Sequence, residues 1–99
     1  NVVSTVKNGF ACVSFQLSPS AVITLENGKV LVTGLPKPRK AFILYGEQWN
    51  NGFTDGSRPP LRLRLNLNGE LYSHYPSSIE RLNEGCPVNV NAFYVVADN

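Results

Sequence analysis

Residues 61–75 most constrain what this chain can fold into. They read Leu-Arg-Leu-Arg-Leu-Asn-Leu, then Asn68-Gly69, then Glu-Leu-Tyr-Ser-His-Tyr. Leucine takes every second position from Leu61 to Leu67, with Arg62, Arg64 and Asn66 between. Successive side chains of a strand point to opposite faces, so one face is leucine and the other carries two guanidinium groups and an amide. Asn-Gly supplies both positive-φ residues of a type I′ turn. The segment is expected to be a β-hairpin with one buried and one wet face. A strict two-residue loop sets Leu65 against Tyr72 and Leu63 against His74, and places Leu71, Ser73 and Tyr75 with Arg62 and Arg64. A one-residue bulge at the turn swaps those sets and brings His74 to the arginine face. Both registers satisfy the sequence.

At 99 residues the chain has the length of one domain. A domain of this size buries roughly 60–65% of its unfolded surface, enough for a core without staples. Hydrophobic content of 42% against 16% charged residues excludes disorder on compositional grounds. A formal charge of +2 is too small to imply a nucleic-acid or membrane partner by itself. No apolar run approaches the ~20 residues of a spanning helix, so membrane insertion is not expected. The sequence contains no methionine, and we read it as the C-terminal segment of a longer chain. Cys12 and Cys86 open the first and last expected strands. They read as two buried free thiols or, in the other reading, as one disulfide. With a single histidine and no close-spaced ligand pair, neither a metal site nor a cofactor is expected.

Along the chain, residues 1–8 read as a lead-in. Residues 10–17 alternate, with Ala11, Val13, Phe15 and Leu17 opposite Ser14 and Gln16. Residues 21–25 and 29–33 flank Glu26-Asn27-Gly28 and are expected to pair as a second hairpin. Gly34-Leu35-Pro36-Lys37-Pro38 then ends regular structure. Residues 41–47 are apolar on both faces at first, as in a strand inside a sandwich. Residues 48–60 form the longest irregular stretch. Residues 76–87 make a second loop, with one helical turn expected at residues 78–81. The last strand, residues 88–97, alternates Val88, Val90, Ala92, Tyr94 and Val96 with Asn89, Asn91, Phe93 and Val95. No helical period persists anywhere. The expectation is an all-β antiparallel sandwich, jelly-roll-like, of about seven strands.

Catalytic chemistry is poorly represented, and no enzymatic activity is expected. His74 and its neighbours Ser73 and Ser77 form no nucleophile motif, and a set with Asp55 is one that any chain of this size offers. The seven acids suggest no carboxylate dyad. Binding is better represented. The loop from Gln48 to Arg58 gathers the lone Trp49 with Asn50, Asn51, Phe53, Asp55 and Arg58. Aromatic faces with carboxylate, amide and guanidinium groups to fix hydroxyls are the general chemistry of saccharide recognition. In the plainer reading Trp49 plugs one end of the sandwich and the polar residues are solvated. His74, with Tyr72 and Tyr75, is the second candidate. On the leucine face it is a core or interface histidine, and on the other it joins Arg62 and Arg64. Those arginines suit phosphate or an acidic sugar, or stand simply solvated or against a neighbouring subunit. Candidate ligand-binding residues are therefore Trp49, Asn51, Asp55, Arg58, His74 and Tyr75.

The order of pieces carries a resemblance. Asn-Gly-Phe-Ala-Cys-Val-Ser-Phe-Gln-Leu leads on to Val-Leu-Val-Thr-Gly-Leu-Pro-Lys-Pro. A tryptophan-bearing loop, the Leu/Arg strand, Asn-Gly-Glu-Leu and a closing Val-Asn-Val-Asn-Ala-Phe-Tyr-Val-Val follow. Over residues 8–97 this resembles the small C-terminal head domains of bacteriophage tail-fibre, baseplate and head-fibre proteins, through a Leu35-Pro36 turn and the later Asn68-Gly69 hairpin. The resemblance implies a homotrimeric, jelly-roll-like domain of the virion, in a tail or head fibre assembled in the bacterial host cytoplasm, that attaches to bacterial surface polysaccharide. The family has no fixed binding motif, so no residue role transfers. Trimerisation also has a physical motive: the last strand is apolar on both faces near Phe93, more than one sheet face needs. Two other readings stand beside it. One is a structural trimerisation or decoration domain of a virion protein without sugar binding. The other is an OB-like nucleic-acid binder using Arg62, Arg64 and the tyrosines, disfavoured by the modest charge.

Overall fold

Period-two patterning becomes strand in the computed structural model, which describes residues 3–21, 23–25, 29–48, 60–74, 81–82 and 87–97. The elements are β1 (Val3–Lys7), β2 (Phe10–Leu17), β3 (Ile23–Thr24), β4 (Val30–Val32), β5 (Phe42–Gln48), β6 (Leu61–Leu65), β7 (Leu71–Ser73), β8 (Arg81–Leu82) and β9 (Val88–Val95). Seven of them form an antiparallel sheet in the order β1-β2-β9-β5-β6-β7-β4, and β3 and β8 form a two-stranded sheet. The protein is all-β: the large sheet curls into a half-barrel, in keeping with a sandwich-like fold, and no helix occurs among the described residues.

The inner face is the core. Ala11, Val13 and Phe15 of β2 meet Val88, Val90 and Tyr94 of β9, Leu44 of β5, Leu61, Leu63 and Leu65 of β6 and Leu71 of β7. Leu82 of β8 is fully buried in the same cluster, and Ile23 of β3 packs against it, so the small sheet covers part of that face. Each leucine fully withdrawn from water contributes about 1.5–3 kcal/mol. Ser73 is a buried polar residue on this face, 2% exposed, and its N–H donates to the Lys29 carbonyl at 2.9 Å.

Several local expectations give way. The residues read as a lead-in contain β1, which pairs with β2 from Val3↔Ser14 to Lys7↔Phe10. Asn8 (φ 53°) and Gly9 (φ 81°) make the two-residue turn between them, the type I′ geometry that Asn-Gly favours. At Asn68-Gly69 the type I′ expectation fails. Gly69 has φ 83°, but Asn8 is the only non-glycine with positive φ among the described residues. The Gly69 N–H donates to the Asn66 carbonyl at 3.0 Å and the Asn66 N–H to the Glu70 carbonyl at 2.9 Å. This is a three-residue loop, a turn followed by a bulged glycine. It pairs Leu65 with Leu71, Arg64 with Tyr72 and Leu63 with Ser73, so the bulged register holds. Leu67, which continues the leucine alternation, lies in the turn and is 58% exposed.

The described residues of 21–25 and 29–33 do not pair with each other. β3 pairs with β8 and β4 with β7, because distant apolar strands offered burial that the local turn did not. Arg81, expected in a helical turn, belongs to β8; residues 78–80 lie outside the described residues. The last strand ends at Val95, and Val96 forms an isolated bridge with Pro38. Pro38 has no N–H, so its neighbours carry the bonds: Arg39 N–H donates to the Val95 carbonyl at 2.9 Å and Ala97 N–H to the Lys37 carbonyl at 2.8 Å. Cys12 is a free thiol, but exposed rather than buried, since it alternates with Ala11 and Val13 onto the outer face. Its register partner is Phe93, whereas Val88 pairs with Leu17 at the far end of the ladder. Cys86 lies outside the described residues.

One interaction ties the 35–38 segment to the sheet and is testable by pH. Tyr94 is 8% exposed, its hydroxyl donates to the Pro36 carbonyl at 2.8 Å, and burial raises its pKa above 10.0. Burial disfavours the phenolate, which also cannot donate this bond. The unfolded chain therefore loses the proton first as pH rises. The contribution is fully present below the unfolded pKa and is lost as pH climbs from there through the folded value. Thermal melts should show a loss of stability above about pH 10 that is smaller in Tyr94→Phe. Parallel pH profiles for the two proteins would refute this coupling.

Candidate binding face

The outer face of the half-barrel displays the polar halves of the alternating strands. On β2 and β9, residues 73 and 77 positions apart in sequence meet in a hydrogen-bonded ladder. Ser14 Oγ donates to Asn91 Oδ1 at 2.7 Å, and Gln16 Nε2 donates to Asn89 Oδ1 at 2.9 Å. Ser18 Oγ extends it to Gln16 Oε1 at 3.2 Å. The register carries the row across to β5, where Glu47 lies opposite Asn89. These groups hold one another in place while their remaining donors and acceptors face solvent.

Toward the end of β2 nearer β1 the same face turns aromatic. The rings of Phe10 and Phe93 stack with centroids 5.4 Å apart and planes within 2°, although Phe10 is 44% and Phe93 71% exposed. Val95 adds to this patch, opposite Phe10 in the register. A shallow cavity of about 250 Å³ lies alongside, lined by Cys12, Ser14, Asn91 and Phe93 among others.

Toward β6 and β7 the face becomes cationic. Tyr45, 55% exposed, pairs with Arg62, and Ile43 pairs with Arg64, which in turn pairs with Tyr72. The His74 N–H donates to the Arg62 carbonyl at 3.1 Å, extending the ladder one step and setting His74 beside Arg62. Directly opposed side chains on one face have Cβ atoms about 4.5–5.5 Å apart, so Tyr45, Arg62 and His74 form one row and Arg64 and Tyr72 the next. Neither arginine shows an ion pair or side-chain hydrogen bond among the described residues, and Arg62 Nε is buried with no acceptor.

Of the six residues expected to bind ligand, His74 is described and stands on the exposed side with the arginines. Trp49, Asn51, Asp55, Arg58 and Tyr75 lie outside the described residues. Tyr45 and the amide ladder were not among the candidates. The signal for the ladder was present in the alternation Ser14, Gln16 and Asn89, Asn91, but nothing local says that β2 and β9 are partners. Among the described residues, no group of three or more metal-ligating side chains occurs, and no helix is long and apolar enough to cross a membrane. Comparison of the chain with protein-family models, with curated proteins and with solved structures finds no match.

Proposed function

We propose that this domain is a non-enzymatic saccharide-binding module that works as the receptor-binding head of a virion fibre, adhering as a homotrimer to bacterial surface polysaccharide. The observation that supports saccharide recognition is the outer face itself. A pre-ordered ladder of hydroxyl and amide groups shares it with the exposed Tyr45 ring. Sugars present C–H surfaces and hydroxyls together, and rings beside fixed donors and acceptors match both. The support for self-association is the stacked but exposed Phe10–Phe93 pair with Val95, an apolar patch that a second copy would cover. Placement in a phage fibre rests on the sequence resemblance alone.

Weak single sites multiplied across a trimer give firm adhesion through effective concentration. The test is retention on bacterial cells and on immobilised bacterial glycans, with Tyr45→Ala as the variant. Tyr45 is exposed, so its removal should leave the thermal midpoint within a few degrees while retention falls by about tenfold or more. Sedimentation should give three times the 10.9 kDa chain mass. A monomer at working concentration, or unchanged retention in the variant, would remove the corresponding half of the proposal.

A further inference from the structure

We infer that the saccharide this face takes is anionic, held by Arg62 and Arg64 through carboxylate or phosphate groups on the glycan. The inference rests on the saccharide reading above and deepens it. It starts from an electrostatic imbalance. Arg62 and Arg64 project from β6 onto the outer face, half-buried between Tyr45 and Ile43 on one side and His74 and Tyr72 on the other. A guanidinium in such a setting has lost part of its hydration and normally recovers the cost from a carboxylate. Among the described residues neither arginine has a carboxylate in ion-pair contact: Glu70 accepts from Asn68 Nδ2 at 2.7 Å in the turn, and Glu47, opposite Asn89 and two residues from Tyr45 on the same strand face, forms no ion pair with Arg62.

The second observation is Arg62 Nε, a buried donor without an acceptor. Such a group costs about as much as a hydrogen bond left unmade. It marks a guanidinium more desolvated than a surface arginine, for which an incoming anion is worth more because water screens the pair less. Geometry adds selectivity. Residues two apart on one strand face lie about 6.6–6.8 Å apart along the strand, so the two guanidinium groups offer two anion contacts on neighbouring rows of the face. Exposed Tyr45 provides a ring beside the first contact, where the sugar carrying the acid can rest. A free anion would use the contacts alone, whereas an acidic saccharide uses the contacts, the ring and the amide ladder farther along the face.

The experiment is an array of bacterial glycans grouped as neutral, carboxylate-bearing and phosphate-bearing. Each bound glycan is re-measured after methyl esterification of carboxylates or removal of phosphate. The expected result is binding confined to acidic glycans, weakened about tenfold or more when the acid is masked, and weakened again as salt rises from 0.05 to about 0.5 M. Arg64→Gln should lose about tenfold with fold retained by circular dichroism, and Arg64→Lys should recover part of it. Masking the ligand leaves the protein untouched, so a variant that misfolds does not blunt the test. Equal binding of masked and unmasked glycans, or binding of neutral glycans alone, overturns the anionic inference and leaves the saccharide reading standing. No binding to any glycan overturns both. Tighter binding to a single-stranded oligonucleotide than to any glycan overturns the inference in favour of nucleic acid.

Discussion

Gly69→Ala is expected to cost about 2–4 kcal/mol, a large share of the ~5–15 kcal/mol that holds a domain of this size together. Two causes combine. Gly69 adopts φ 83°, where an L side chain is strained. An added Cβ would also run into the carbonyl oxygen of Leu35. That contact cannot be relieved by a rotamer change, because the obstacle is backbone and is itself anchored: Leu35 N–H donates to the Gly69 carbonyl at 3.1 Å. Relaxing the clash breaks the bond that ties the 34–38 segment to the hairpin turn. At about 4–8 °C per kcal/mol, the midpoint should fall by roughly 8–32 °C. Gly69→Asn separates the causes, since asparagine tolerates positive φ yet carries the same Cβ. If Asn is as damaging as Ala, the clash dominates. A Gly69→Ala midpoint within about 2 °C of the wild type would refute this account of the turn.

Leu63→Ala should cost about 2–5 kcal/mol in urea denaturation, whereas Leu67→Ala should change stability by less than about 0.5 kcal/mol. The two residues look equivalent in the sequence, being members of one leucine alternation. In the fold Leu63 is fully buried, paired with Leu44 on one side and Ser73 on the other. Its truncation leaves a cavity where three strands meet. Leu67 projects from the turn into solvent. Equal losses from both would mean that the leucine strand continues through Leu67 and that the bulged register is wrong. That outcome would also move His74 away from the arginines and undermine the cationic contacts.

The strand content was legible because burial on one face imposes a period of two that composition cannot hide. β2, β6 and the body of β9 lie where Val13-Phe15, Leu61-Leu63-Leu65 and Val88-Val90 placed them. The pairing of the short central strands was not legible. Glu26-Asn27-Gly28 suggested a local hairpin, yet β3 and β4 each found a partner far along the chain. A turn signal of this kind is worth little beside the burial of Leu82 and Leu71. Conversely, Asn8-Gly9 does close a local hairpin, which the reading of residues 1–8 as a lead-in missed because the apolar pattern before it is weak.

The sequence by itself determined that the chain is β-structured, that Leu61, Leu63 and Leu65 look inward and that Arg62 and Arg64 look outward. Each of these follows from side-chain alternation, a property of every strand however it is paired. What only the tertiary structure decided is which polar residues become neighbours. One extra residue in the Asn66–Glu70 loop put His74 on the arginine side. The pairing of β2 with β9 built an amide ladder from residues more than seventy positions apart. Register and strand order are set by the total area buried across the whole sheet, a sum over contacts that no local stretch contains.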